Sequence, residues 1–99
     1  MVRDITKVLP GKMAEYMQLQ ETYIAIGTRH GMPPMRRYRC MSGGGDTLHT
    51  IIAEIEVDSL AALEAILEKI FADPEMPALQ AKLEAILESY EFEVYMPMP

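Results

Sequence analysis

The sequence predicts an α+β fold of order βαββαβ, one antiparallel sheet carrying its helices on a single face. Three observations lead there. The hydrophobic period switches between two and about 3.6 along the chain. Pro10-Gly11, His30-Gly31 and a glycine run fall where the period changes. A closing stretch alternates apolar and acidic residues, as a half-buried strand does. A sheet dressed on one side must offer its other side to water or to another subunit.

Residues 2–9 are rich in β-branched side chains and end at Pro10-Gly11, which reads as a first strand. From Lys12 onward Met13, Tyr16, Met17, Gln20, Tyr23, Ile24 and Gly27 recur at three- and four-residue steps, the face of a helix. His30-Gly31 closes it, with a cation-capable residue in the last turn and a glycine able to take positive φ. Met32-Pro33-Pro34 cannot continue a helix. Residues 35–41 and 47–57 form the next two strands. Ser42-Gly43-Gly44-Gly45-Asp46 between them is a hairpin turn, because a phosphate loop would require a following helix.

Asp58 and Ser59 offer N-cap oxygens to a helix carrying Leu60, Leu63, Ile66, Leu67 and Ile70. Phe71-Ala72 ends it, and Asp73-Pro74 starts another, with Asp73 as cap and Pro74 at the first helical position. Leu79, Leu83, Ile86 and Leu87 supply the apolar face of that helix. Tyr90, Phe92, Val94 and Met96 then alternate with Glu91, Glu93 and Tyr95 in the last strand. The hexapeptide Leu-Glu-Ala-Ile-Leu-Glu occurs at 63–68 and at 83–88, which reflects shared amphipathicity, since a repeat architecture needs several units.

A chain of 99 residues makes a single domain, 1–99, and buries about 65% of its unfolded surface. No run approaches the ~20 apolar residues of a membrane span. Arg3, Asp4 and Lys7 stand where a signal peptide needs its apolar core, and Cys40 is the sole cysteine, so a cytoplasmic protein is expected. A net charge of −6 opposes general nucleic-acid binding, which depends on neutralising phosphates. Residues 1–45 hold seven basic and three acidic side chains, and residues 46–99 hold two and twelve. Two halves side by side in one sheet would neutralise each other; the sharper alternative is an anion site around Arg36, Arg37 and Arg39.

Register decides which side chains share a face. With Arg39 opposite Thr50 and Arg37 opposite Ile52, charges sort with charges: Met35, Arg37 and Arg39 join Thr50, Ile52, Glu54 and Glu56. That register is expected over one in which Met41 faces Thr47. It puts Arg36, Tyr38 and Cys40 on the helix-covered face with His49, Ile51, Ala53 and Ile55. His30 and Tyr23 would then reach a small polar cluster from the first helix. A phenol or thiol beside an imidazole suits acid–base or nucleophilic chemistry. Against it, a lone strand cysteine is commonly a small buried hydrophobe, and His30 at a helix end is commonly a cap. Two histidines and one cysteine on separate elements do not make a metal site.

Leu9-Pro10-Gly11-Lys12 before a helix, Asp58-Ser59-Leu60-Ala61 after the third strand and Ala72-Asp73-Pro74-Glu75 opening a later helix resemble NIPSNAP-type domains. These belong to the dimeric α/β-barrel proteins, together with antibiotic-biosynthesis and haem-degrading monooxygenases. The resemblance spans nearly the whole chain. It implies a ferredoxin-like protomer whose open sheet face pairs with a second copy into a homodimeric α/β barrel, with any chemistry held between sheet and helices. The chain has no Asn and no Trp, so the Asn-based oxygenase machinery of that group has no counterpart position here.

Two functions remain open. One is a homodimer that binds a small molecule or serves structurally, without turnover. The other is a small cofactor-free enzyme, monooxygenase-like or isomerase-like, acting on an apolar or aromatic metabolite. In it His49 would be acid/base, Tyr38 or Cys40 would assist, and Tyr23, His30 and Arg36 would bind ligand. Neither reading calls for a cofactor or a metal.

Overall fold

The computed structural model describes residues 1–43 and 48–98. Its elements are β1 (Val2–Val8), α1 (Met13–Arg29), β2 (Arg36–Arg39), β3 (Thr50–Ile55), α2 (Leu60–Ala72), α3 (Met76–Ile86) and β4 (Leu87–Val94). The strands form one sheet in the order β2-β3-β1-β4, every neighbouring pair antiparallel. With the helices on one face this is the ferredoxin-like arrangement expected from the element order. No helix among the described residues is long and apolar enough to cross a membrane.

Local chemistry explains the joints. Gly11 and Gly31 both take positive φ, at 79° and 89°, as the turns at the two ends of α1 require. The Oγ of Ser59 accepts from the backbone N–H of Ala62 at 3.1 Å, so Ser59 caps α2. Asp73 interrupts the helical run: its Oδ1 accepts from the Glu75 N–H at 2.9 Å. The proline in the first turn of α3 is Pro77 rather than Pro74, because residues 74 and 75 form a turn before the helix begins. α3 ends without a loop, for Ile86 is its last residue and Leu87 the first of β4. Leu87, expected on the helix, is therefore a strand residue.

Three apolar clusters hold the layers together. Val8, Tyr16, Ile51 and Ile86 pack at one end of the sheet, and Val2, Ile55 and Leu63 at the other. Ile26, Ile70, Met76 and Leu79 join the three helices above them. Ile26, Leu63, Ile70 and Val8 are the most completely buried large side chains, each contributing about 1.5–3 kcal/mol of transfer free energy.

The β2–β3 register corrects the expected one. Arg36 lies opposite Glu54, Arg37 opposite Ala53, Tyr38 opposite Ile52 and Arg39 opposite Ile51. This one-residue shift reverses the faces of β2. Arg37 and Arg39 now stand on the helix side, while Arg36, Tyr38 and Cys40 stand on the open side. Charge matching is kept by a different residue: Arg36 Nη2 reaches Glu54 at 3.8 Å and Glu56 at 3.5 Å. Arg37 instead donates to Oε1 of the buried Gln20 on α1, at 3.0 Å. An edge strand tolerates this because a long guanidinium side chain can lie along the helix layer and keep its head near water. The turn over residues 44–47 lies outside the described residues.

Candidate functional site

The site follows from the inward side of β1. Val2, Asp4, Thr6 and Val8 alternate towards the helices, and the two valines seed the clusters at the sheet ends. Between them the sheet carries Asp4, Thr6 and, across the β1–β3 ladder, Ala53 opposite Asp4. These side chains are too short or too polar to fill the gap beneath the helices. A cavity of about 300 Å³ remains, open on one side.

Tyr16, Gln20 and Tyr23 of α1 form one wall of the cavity, and Met76, Leu83 and Glu84 of α3 form another. Tyr90 of β4 lies beside Asp4 at the open side of the floor, half-exposed like Phe71 at the rim. A water-sized annex of about 30 Å³ continues past Asp4 and Tyr23 towards Leu63.

The electrostatics centre on Asp4. Its Oδ1 is buried and has no hydrogen-bond partner. Burial pushes its carboxyl above the ordinary range, partly opposed by the Tyr90 hydroxyl within hydrogen-bonding reach. Burial likewise pushes up the phenols of Tyr16 and Tyr23, and the charge of Asp4 pushes both further. For Tyr16 a hydrogen bond with Thr6 acts in the opposite sense. Tyr90 rises furthest, by burial first and then by its contact with Asp4. All three phenols stay neutral near pH 7 and are available as donors. A desolvated carboxylate beside neutral phenols can accept a hydrogen bond, pair with a cation, or take up a proton.

Of the six residues singled out in the sequence, only Tyr23 lines this cavity. The expected helix-side cluster of Tyr38, Cys40 and His49 is corrected by the register. Tyr38 is exposed on the open sheet face, opposite Ile52. The thiol of Cys40 donates to the Ser42 carbonyl at 3.2 Å, in the strand-end segment where Cys40 N–H meets the Thr50 carbonyl. His49 is half-buried in a helical turn just ahead of β3. Arg36 is occupied by Glu54 and Glu56 on the open face.

His30 caps α1, and its Nε2 lies 2.7 Å from Oδ2 of Asp73, which also accepts from Arg29 at 2.9 Å. These contacts, led by the Glu75 N–H, hold the Asp73 carboxyl below its ordinary range. That polar knot ties α1 to the α2–α3 break and stands apart from the cavity lining. No group of three or more His, Cys, Asp or Glu among the described residues is placed to hold a metal ion.

Asp4, Tyr16 and Tyr90 were missed as site residues, although the sequence holds a signal for the first. A carboxylate in step with Val2, Thr6 and Val8 occupies an inward position of a period-two strand, and an inward charge is costly unless it serves something.

Comparisons with known proteins agree with this architecture. A NIPSNAP domain protein from Burkholderia xenovorans superposes with a TM-score of 0.75 at 22% identity, over 97% of this chain and 95% of that one. A NIPSNAP family protein from Agrobacterium tumefaciens gives 0.83 at 24% identity, over 98% and 90%. A putative antibiotic biosynthesis monooxygenase from Bacteroides thetaiotaomicron gives 0.71 at 20% identity, over 100% and 90%. No protein-family model and no curated protein sequence matches the chain. The fold is thus the one found in NIPSNAP-domain proteins, a ferredoxin-like α+β domain.

Proposed function

We propose that the protein is a homodimeric, cytoplasmic, single-domain small-molecule-binding protein of the NIPSNAP-like type. The cavity between sheet and helices carries this reading: about 300 Å³ of largely apolar space with one buried, unpartnered carboxylate oxygen. Ligand sites have this composition, a mostly apolar lining with a few fixed polar groups.

Dimerisation is supported by the open sheet face. Ile5, Ile52 and Tyr38 form a row across it, with Arg36, Glu54, Arg3 and Glu93 alternating in sign in the next row. Arg3 Nε and Glu93 Oε1 in that row are buried without a partner. Such a face is self-complementary under a two-fold axis, where each sign meets its opposite. Beyond the end of β4, exposed Tyr95 and Met96 add apolar surface, while Phe92 and Val94 of the edge strand are exposed on its helix side. Native mass spectrometry of the purified protein tests both parts at once, through stoichiometry and retained mass. A monomer at micromolar concentration that still unfolds cooperatively would remove the dimeric barrel.

A cofactor-free enzyme acting on an apolar or aromatic metabolite is the second reading. It is favoured by Asp4 and Tyr90 meeting inside the cavity, and by the likeness to a putative antibiotic biosynthesis monooxygenase. Turnover of a bound aromatic substrate that is lost in Tyr90→Phe with binding retained would decide for it.

A further inference from the structure

We propose that the cavity takes a small organic cation, an amine carrying an aromatic or alkyl group, with its ammonium on Oδ1 of Asp4 among Tyr16, Tyr23 and Tyr90. This rests on the cavity being a ligand site, and it names the chemistry of the ligand.

Charge is the first argument. The lining holds two carboxylates, Asp4 inside and Glu84 on α3, and no Lys, Arg or His among the described residues. An anionic ligand would meet repulsion without a partner, whereas a cation meets attraction at both levels. Arg37, the cation brought to the helix side of β2, is engaged by Gln20 at 3.0 Å. Geometry is the second argument. Asp4 Oδ1 is buried and unmatched, and an ammonium supplies three donors to such an acceptor. The tyrosines that line the cavity around it carry hydroxyl oxygens that can accept from the ammonium's remaining N–H groups. Met76, Leu83 and Leu87 then receive the hydrocarbon part. The volume lies at the lower end of the ~300–1,000 Å³ usual for ligand pockets, suited to a single-ring molecule.

Binding of this kind is pH-dependent. Asp4 is faced by Tyr90 from β4, by Tyr16 and Tyr23 from α1 and by Glu84 from α3, with Arg37 of β2 acting at longer range through Tyr16. The phenols stay neutral, so affinity for an amine falls as the Asp4 carboxyl takes up a proton at acid pH.

Isothermal titration of the full chain with phenethylamine, 2-phenylethanol and phenylacetate compares three head groups on one ring. Phenethylamine is expected to bind best, 2-phenylethanol about tenfold more weakly, and phenylacetate not measurably. Asp4→Asn should cost phenethylamine about tenfold or more and leave 2-phenylethanol unchanged. Leu83→Trp, which fills the cavity, should abolish all binding. Equal affinities for amine and alcohol that ignore Asp4→Asn, or a preference for phenylacetate, overturn the cation inference and leave the cavity a ligand site. Silence from all three probes overturns the cavity reading itself. Amine binding that survives Leu83→Trp places it elsewhere and overturns the inference. Should Asp4→Asn fail to fold, the wild-type pH series decides: affinity for phenethylamine that does not fall with acidification refutes the role of Asp4.

Discussion

Replacing Asp4 by Asn should stabilise the unliganded protein at pH 7. The substitution keeps the shape of the side chain, and its amide oxygen can still accept from the Tyr90 hydroxyl beside it. It removes a charge whose Oδ1 is buried with no hydrogen-bond partner. An unsatisfied buried polar group costs about 1–3 kcal/mol. The new NH₂ needs an acceptor from the neighbouring phenols, so the net gain falls towards the lower end, about 1 kcal/mol.

The sign with pH follows from linkage. Burial raises the folded-state pKa of Asp4 above its unfolded value, near 3.9. The protonated form is therefore favoured by folding: its contribution is fully present below pH ~3.9 and is lost as pH climbs through the folded value. The advantage of Asp4→Asn over the wild type should vanish near pH 4 and grow to a plateau by pH 7. Urea denaturation from pH 4 to 8, at one fixed protomer concentration, reads this as a midpoint shift of about 0.5–1 M at the high-pH end. A difference that does not vary with pH, or a variant less stable than wild type at pH 7, would refute the picture of a desolvated, unpaired carboxylate.

Other outcomes test the rest of the fold. Leu63→Ala, in the cluster with Val2 and Ile55, should cost about 2–5 kcal/mol, seen as a lower urea midpoint with unchanged slope. A double-mutant cycle on exposed Arg36 and half-buried Glu54, 3.8 Å apart, should give a coupling of about 0–1 kcal/mol. The same cycle on Arg37 and Glu54 should give none, and the opposite ranking would restore the register expected from the sequence. Asp73 titrates below its ordinary range because the Glu75 N–H, His30 and Arg29 favour its charge. Its support for folding is therefore complete above pH ~3.9 and lost as pH falls through the depressed value. Carboxyl NMR on the folded protein checks the direction, and Asp73→Asn should destabilise at pH 7 while converging with wild type in strong acid.

The order of elements was legible because punctuation and period agreed. Ser59, Gly11 and Gly31 each perform at a joint the local task their chemistry suggested, whereas Asp73, expected to cap α3, closes α2 and accepts from the Glu75 N–H in the turn before α3. Register was not legible, since matching charges can be achieved by Arg36 as well as by Arg37. A one-residue slip then exchanged Tyr38 and Cys40 for Arg37 and Arg39 on the helix side. The site was legible only in part. Tyr23 was visible on the inward face of α1, but its companions come from the far ends of the chain, Asp4 from β1 and Tyr90 from β4, brought together by the β1–β4 pairing. Periodicity places each on a face; it cannot say that small neighbours such as Ala53 leave room between them.

The direct passage from Ile86 to Leu87 bears on how the chain could change in length and how the cavity could breathe. Leu83 and Glu84 on the helical side of that seam, and Leu87 and Tyr90 on the strand side, all border the cavity. The wall and the floor are thus one piece of backbone with no slack between them. An inserted residue there would turn Leu87 and Tyr90 away from Asp4, so this seam does not admit a change of length. With that end of α3 anchored in the sheet, any widening of the cavity by helix movement has to begin at the opposite end. There Asp73 is held by Arg29 and His30, so such a movement would first have to loosen this polar knot.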